Sequence, residues 1–257
     1  MTLPRIMVAP NGARLQKTDH PALPITQDEI VGCARACHVA GAGGIHAHLR
    51  DANGAHLLDA GRYRALVQAL RAGVPGMQVQ ITTEAVGIYD AETQIEVALT
   101  GGADMVSVST REVLRAGADT ARAFFKEAAA RGIAVQHILY DVADCDALAE
   151  VLGDGLTDPA LQLLYVLGRY DRDQTAHPQD LDAFLDWQRG RGLTPDWAIC
   201  AFGQHEIPCL LRAAAEGGKC RVGFENSRLH PDGRVARDNA DKVAALVAAL
   251  DAGARGI

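Results

Sequence analysis

The sequence predicts a TIM barrel, a closed (β/α)8 fold in one domain spanning residues 1–257. Three observations carry this expectation. Short apolar runs alternate with amphipathic stretches from one end to the other, eight such units fill the 257 residues, and no linker, internal repeat or low-complexity tract divides them. A barrel of this class needs about 250 residues. The alternative, an open doubly wound sheet, wants a glycine-rich phosphate loop after an early strand, and "APNGA" at 9–13 is not a GxGxxG turn.

The first strand is expected at 5–10 (RIMVAP), followed by the polar, proline-bearing "RLQKTDHPALP" at 14–24, which is longer than an ordinary βα loop. The first helix, 27–40, is well marked. Thr26 and Glu29 have capping-box spacing, Ile25 and Ile30 form the hydrophobic staple across it, and the helix should start at Gln27. Strands then follow at 43–49 (GGIHAHL), 77–83 (MQVQITT), 105–110 (MVSVST), 133–140 (IAVQHILY), 161–168 (LQLLYVLG), 196–202 (DWAICAF) and 219–224 (KCRVGF). Helical patterns follow them at 59–73, 90–100, 117–131, 143–153, 179–191, 205–216 and 237–251. Two further long irregular stretches, 169–180 and 225–239, come after the sixth and eighth strands. In a TIM barrel, loops that follow strands build the active face.

A net charge of −7 argues against nucleic-acid or membrane-surface binding, either of which needs a basic face, and favours a small-molecule ligand. No window approaches the ~20 apolar residues of a membrane span and the start lacks a signal-peptide pattern, so a cytoplasmic location is expected. The six cysteines contain no CxxC pair and read as reduced, buried side chains. Cys33, Cys37 and His38 resemble a metal cluster only on paper. On a helix His38 points about 100° away from Cys37.

The chemistry concentrates in "GGIHAHLRD" at 43–51. Side chains alternate along a strand, so Gly44, His46, His48 and Arg50 share one face and Ile45, Ala47 and Leu49 the other. With the apolar set against the outer helices, the imidazoles point inward near the C-terminal mouth, about 6–7 Å apart along the strand. Gln80 and Thr82 on the third strand, and Ser107 and Ser109 on the fourth, follow the same parity. Glu225 ends the eighth strand in "RVGFEN", again at the mouth. His46, His48 and Glu225 make a two-histidine, one-carboxylate set with positions left for substrate; zinc is the first choice, with manganese or iron also compatible. Arg50 could meet a substrate carboxylate or pair with Asp51 or another acid. Asn11 could hydrogen-bond substrate or make the turn with Gly12.

"VAPNGARLQKTDHPALPITQDEI", "AGAGGIHAHLRDANG", "AFGQHEIPCLLRAAAEGGKCRVGFEN" and "PDGRVARDNADKV" together resemble the zinc-dependent β-keto acid cleavage enzymes, with the motifs in the family's order from about residue 5 to residue 250. The resemblance implies a TIM barrel, often tetrameric, that converts a β-keto acid and acetyl-CoA into acetoacetate and a new CoA thioester. It matches His46, His48 and Glu225 to the family's metal ligands, Arg221 to its arginine four positions earlier, and Thr82 and Ser109 to hydroxyl positions. The chain departs from the family at Asn226, where an aspartate is usual and where an amide cannot take a proton, and at Gln136 and Ile138, where acids are expected. Asp141 or Glu84 is then expected to supply the base, although Asp141 also reads as a helix cap and Glu84 as a solvated loop acid. Two rivals remain. An amidohydrolase-like barrel would carry HxH on its first strand, and a barrel that binds metal without turnover would explain Asn226, Gln136 and Ile138.

Overall fold

The computed structural model describes residues 1–169 and 175–254. Eight parallel strands close into a barrel: β1 (Ile6–Val8), β2 (Gly44–Ala47), β5 (Gln78–Thr82), β6 (Met105–Ser109), β7 (Ala134–Leu139), β8 (Gln162–Leu167), β9 (Asp196–Ala201) and β10 (Lys219–Val222), with β1 joining β10 to β2. A separate antiparallel pair, β3 (Leu49–Arg50) and β4 (His56–Leu57), follows β2 directly. The TIM barrel expected from the alternating pattern is therefore present.

The helices are α1 (Gln27–Val39), α2 (Ala60–Gly73), α3 (Ala91–Thr100), α4 (Thr110–Val113), α5 (Ala118–Ala130), α6 (Val142–Leu152), α7 (Asp182–Gly190), α8 (Glu206–Ala215) and α9 (Asn239–Ala254). Helix α1 begins at Gln27, with the Thr26 and Glu29 capping box formed in both directions. The four-residue α4 was not anticipated, because it continues straight from β6 without a loop. The stretch 169–180 falls partly outside the described residues.

Alternation along the strands sorts the core. Ile45, Ala47, Val79, Ile81, Val106 and Val108 turn outward and pack with helix residues such as Ile30, Leu66, Leu70 and Phe124, all buried. Each of these Val, Ile, Leu and Phe side chains stabilises the fold by about 1.5–3 kcal/mol through burial. Inside the barrel a second apolar cluster runs through Met7, Met105, Leu164, Val166, Cys200 and Phe202.

Two glycines set the geometry at the mouth. Gly223 has φ +145, and a Cβ there would collide with the Ala9 carbonyl, so the chain leaving β10 can lie close against β1 only without a side chain. Gly12 has φ +56, and a Cβ there would come within 2.7 Å of Glu225 Cγ. The turn after β1 is thus shaped to admit the glutamate.

Candidate metal centre and active site

Parity on β2 aims His46 inward, and His48, one residue past the strand end, shares its direction. Their Nε2 atoms lie 3.0 Å apart. Glu225, carried on the turn after β10, brings Oε2 to 3.7 Å from His46 Nε2 and 3.4 Å from His48 Nε2. Two imidazoles on a tetrahedral zinc at ~2.0–2.1 Å would hold their nitrogens roughly 3.3 Å apart, so the observed spacing suits a shared ion. Among the described residues no other group of three His, Cys, Asp or Glu side chains has converging ligand atoms.

The hydrogen bonds make the donor set one of lone pairs. The Leu163 carbonyl can only accept, so Gln136 must turn its amide nitrogen to it, at 3.3 Å. Gln136 Oε1 then accepts from Gln80 Nε2 at 3.0 Å, which leaves Gln80 Oε1 to accept from His46 Nδ1 at 2.8 Å. A neutral His46 therefore carries its proton on Nδ1 and presents a bare Nε2, the arrangement in which an outer partner orients a metal ligand. Gln136, at a position where the family resemblance implied an acid, belongs to this relay.

The charge states agree with it. Burial, reinforced by the Arg221 guanidinium, pushes His46 well below the usual imidazole range. Burial works to raise the Glu225 carboxyl, but the Arg221 guanidinium beside it holds it well below the usual carboxylate range. The neutral imidazole of His46 and the ionised carboxylate of Glu225 are the forms that bind a divalent ion. Glu225 Oε2, the atom that faces both Nε2 atoms, is buried without a hydrogen-bond partner among the described residues, so the residues present fit a cation.

The supports of Glu225 were not legible in the sequence. Gly223 N–H donates to Glu206 Oε1 at 3.1 Å, Phe224 N–H to Asn239 Oδ1 at 2.9 Å, and Glu225 N–H to the Ala9 carbonyl at 3.1 Å. Glu206 in turn pairs with Lys242 at 2.6 Å, both fully buried. Helices α8 and α9 thus clamp the turn that carries the ligand. His56, whose loop position had offered no signal, packs its ring 5.2 Å from that of His48 and donates to the Glu84 carbonyl at 2.8 Å.

These groups open into a cavity of about 400 Å³, lined by His46, His48, Thr82, Ser109, Arg221, Glu225 and Asn226 among others. Arg221 gives Nη2 to Glu225 Oε1, while its Nε and Nη1 and both amide atoms of Asn226 have no partner among the described residues. Thr82 Oγ1 accepts from Glu84 N–H at 3.0 Å, and Ser109 Oγ is buried with no partner among the described residues. Asn11 also lines the cavity, but its amide brackets the His48 backbone, donating to the carbonyl at 2.9 Å and accepting from the N–H at 3.3 Å.

Two expected site residues fall elsewhere. Arg50 does not reach the cavity, because β2 ends at Ala47 and the chain turns into the β3–β4 pair, where strand parity no longer holds. Its guanidinium is buried and bonds the carbonyls of Asn11, Gly12 and Gly54, tying down the turn that faces Glu225. Asp141 caps α6, accepting from Asp144 N–H at 2.9 Å, and pairs with Arg111 at 2.9 Å. With its side chain 56% exposed and absent from the cavity lining, it is in no position to act as the base. Glu84 does line the cavity, paired with Arg169 at 3.1 Å and Arg14 at 3.7 Å.

Comparison with known proteins agrees with this geometry. The chain is 28% identical over 249 residues to the 3-keto-5-aminohexanoate cleavage enzyme of Fusobacterium nucleatum, covering 92% of this chain and 87% of that one. It is 27% identical over 237 residues to the 3-oxoadipate:acetyl-CoA acetyltransferase of Cupriavidus necator, covering 88% and 81%. Among solved structures, apo ObcA superposes with a TM-score of 0.69 at 17% identity over 91% of this chain, which spans only 63% of ObcA, and the likeness supports the fold. Residues 5–257 match the beta-keto acid cleavage enzyme family, and with that match running through the barrel and all three converging side chains, this chain belongs to the beta-keto acid cleavage enzymes.

Proposed function

We propose that the cavity converts a β-keto acid and acetyl-CoA into acetoacetate and a new CoA thioester, with zinc as the resident ion. The observation that supports this most is the meeting, in one cavity, of the His46, His48 and Glu225 set with the unpartnered polar atoms of Arg221 and Asn226. A bound divalent ion would supply Lewis-acid polarisation of the keto oxygen. In the net reaction the bond between the keto carbon and its neighbour toward the carboxylate breaks, the acyl group passes to the CoA sulfur, and the acetyl group takes its place.

The chain's own residues bind and orient. Arg221 meets the substrate carboxylate with an N–H that Glu225 leaves free. Asn226 donates and accepts through one amide, holding substrate without taking its proton. Thr82 and Ser109 present hydroxyls to the same space. Glu84, the base in this reading, removes the proton beside the keto group; among the described residues it shares the cavity lining with only two other carboxylates, Glu112 and Glu225. Arg50 acts on the Gly12 turn rather than on substrate.

The names of the relatives support the same chemistry. The reading extends to a cytoplasmic homotetramer; no helix among the described residues is long and apolar enough to cross a membrane. Elemental analysis of protein purified without chelator, followed by a screen of β-keto acids with acetyl-CoA for acetoacetate and thioester, tests it. One equivalent of zinc with turnover is expected. Metal-loaded enzyme that forms no thioester from any acid would overturn the acyl-transfer reading and favour a hydrolase or a barrel without turnover.

A further inference from the structure

The interior of this barrel is divided. The ligand histidines, Gln80, Arg221 and Glu225 come from β2, β5 and the end of β10, which flank β1 on one side of the closed sheet. The opposite side, from β7 to β9, presents Ile138, Leu164, Val166, Cys200 and Phe202 to the same cavity. These five belong to or pack against one inner apolar cluster. The Cys200 thiol adds no charge, since burial pushes its pKa up to about 12.

A keto acid whose carboxylate and keto oxygen face the polar side must direct its remaining substituent across the cavity. We propose that this substituent is uncharged and apolar, a short alkyl chain lying on the β7–β9 wall. The inference rests on the β-keto acid reading above and names the class of acid within it.

The charged groups near the apolar wall favour the same conclusion, because each already has an ion-pair or hydrogen-bond partner. Glu84 pairs with Arg169 and Arg14. Arg169 also lies over the Phe202 ring, 5.0 Å from its centroid, covering the outer end of the apolar wall. Glu112 accepts from Ala85 N–H at 3.0 Å and from Gln94 Nε2 at 2.7 Å, and Arg228 donates to the Asp19 carbonyl. A carboxylate or ammonium on the substituent would lose its hydration against Leu164 and Val166 unless it broke one of these pairs, and an unpaired charge in apolar surroundings is strongly disfavoured. An alkyl chain gains by leaving water for the same wall.

The test uses metal-loaded enzyme, acetyl-CoA and three β-keto acid anions of matched length that differ in the charge of the substituent: uncharged in 3-oxohexanoate, anionic in 3-oxoadipate and cationic in 5-amino-3-oxohexanoate. Formation of the new thioester gives kcat/KM for each. 3-Oxohexanoate is expected to exceed both acids with charged substituents by ~100-fold or more, equivalent to about 2.7 kcal/mol. Either acid with a charged substituent turning over within tenfold of 3-oxohexanoate overturns the proposal while leaving the acyl-transfer reading intact. If no acid turns over, that reading falls, and thermal stabilisation of the metal-loaded protein by each acid decides the proposal separately. Preferential stabilisation by 3-oxohexanoate supports it, and equal or greater stabilisation by an acid with a charged substituent overturns it.

Discussion

Replacing Gly12 with alanine probes how the turn after β1 makes room for the metal ligand. Two effects are separable. At φ +56 a residue with a Cβ is strained by about 1–2 kcal/mol, and in a domain of this size each kcal/mol lowers Tm by about 2–4 °C. The new methyl would also lie 2.7 Å from Glu225 Cγ and 3.2 Å from its Cβ. Because the far end of Glu225 is held by Arg221, the overlap is relieved only by swinging the whole side chain away from His46 and His48. The strain exists with or without metal, whereas loss of the third ligand is felt only when metal binds. Zinc affinity, measured by competition with a chromophoric chelator, should fall by about 10–100-fold, the scale on which disturbed supports weaken a site. Thermal melts should then show a modest loss in the apo protein and a larger one with zinc present. Equal losses in the two states together with unchanged zinc affinity would refute the claim that Gly12 holds open the space for Glu225.

His46→Ala and His48→Ala should each abolish tight metal binding while leaving the far-ultraviolet circular dichroism unchanged, since both residues sit at the barrel rim; a full equivalent of metal retained by either variant would disprove the ligand assignment. Arg50→Lys should destabilise the protein by about 2–4 kcal/mol in urea unfolding, because a single ammonium cannot reproduce the fork to the carbonyls of Gly12, Gly54 and Asn11; a loss under 0.5 kcal/mol on the order of experimental scatter would mean the fork contributes little. Burial tends to raise the Glu29 carboxyl, but Lys17 and the N–H groups of Thr26 and Ile25 bring it from 4.5 down to about 2. A carboxyl depressed in the folded state stabilises fully above its unfolded pKa, and this contribution is lost as pH falls from 4.5 toward 2. Screening of a side chain 39% exposed leaves about 1 kcal/mol, so Glu29→Gln should flatten the acid limb of the stability profile by that amount, and an unchanged limb would remove Glu29 from the argument.

The sequence by itself determined the repeating architecture, the start of α1 and the convergence of His46, His48 and Glu225. Each rests on local periodicity or on short-range rules: alternation orders the strands, the Thr26 and Glu29 spacing defines a helix start, and HxH on a strand turns both imidazoles to one side. Glu225 followed because a residue ending a barrel strand arrives at the same mouth. Tertiary structure alone decided what surrounds that trio. Parity stops where the strand stops, so the turn into β3–β4 moved Arg50 from substrate binding to supporting a loop. The end of β7 gave Asp141 to the cap of α6 while Glu84 came to line the cavity. The Gln80 and Gln136 relay, and the buried Glu206 and Lys242 pair behind Glu225, join residues on different elements whose spacing along the chain carries no signature. Such contacts depend on barrel closure and strand register, because only these decide which distant side chains become neighbours.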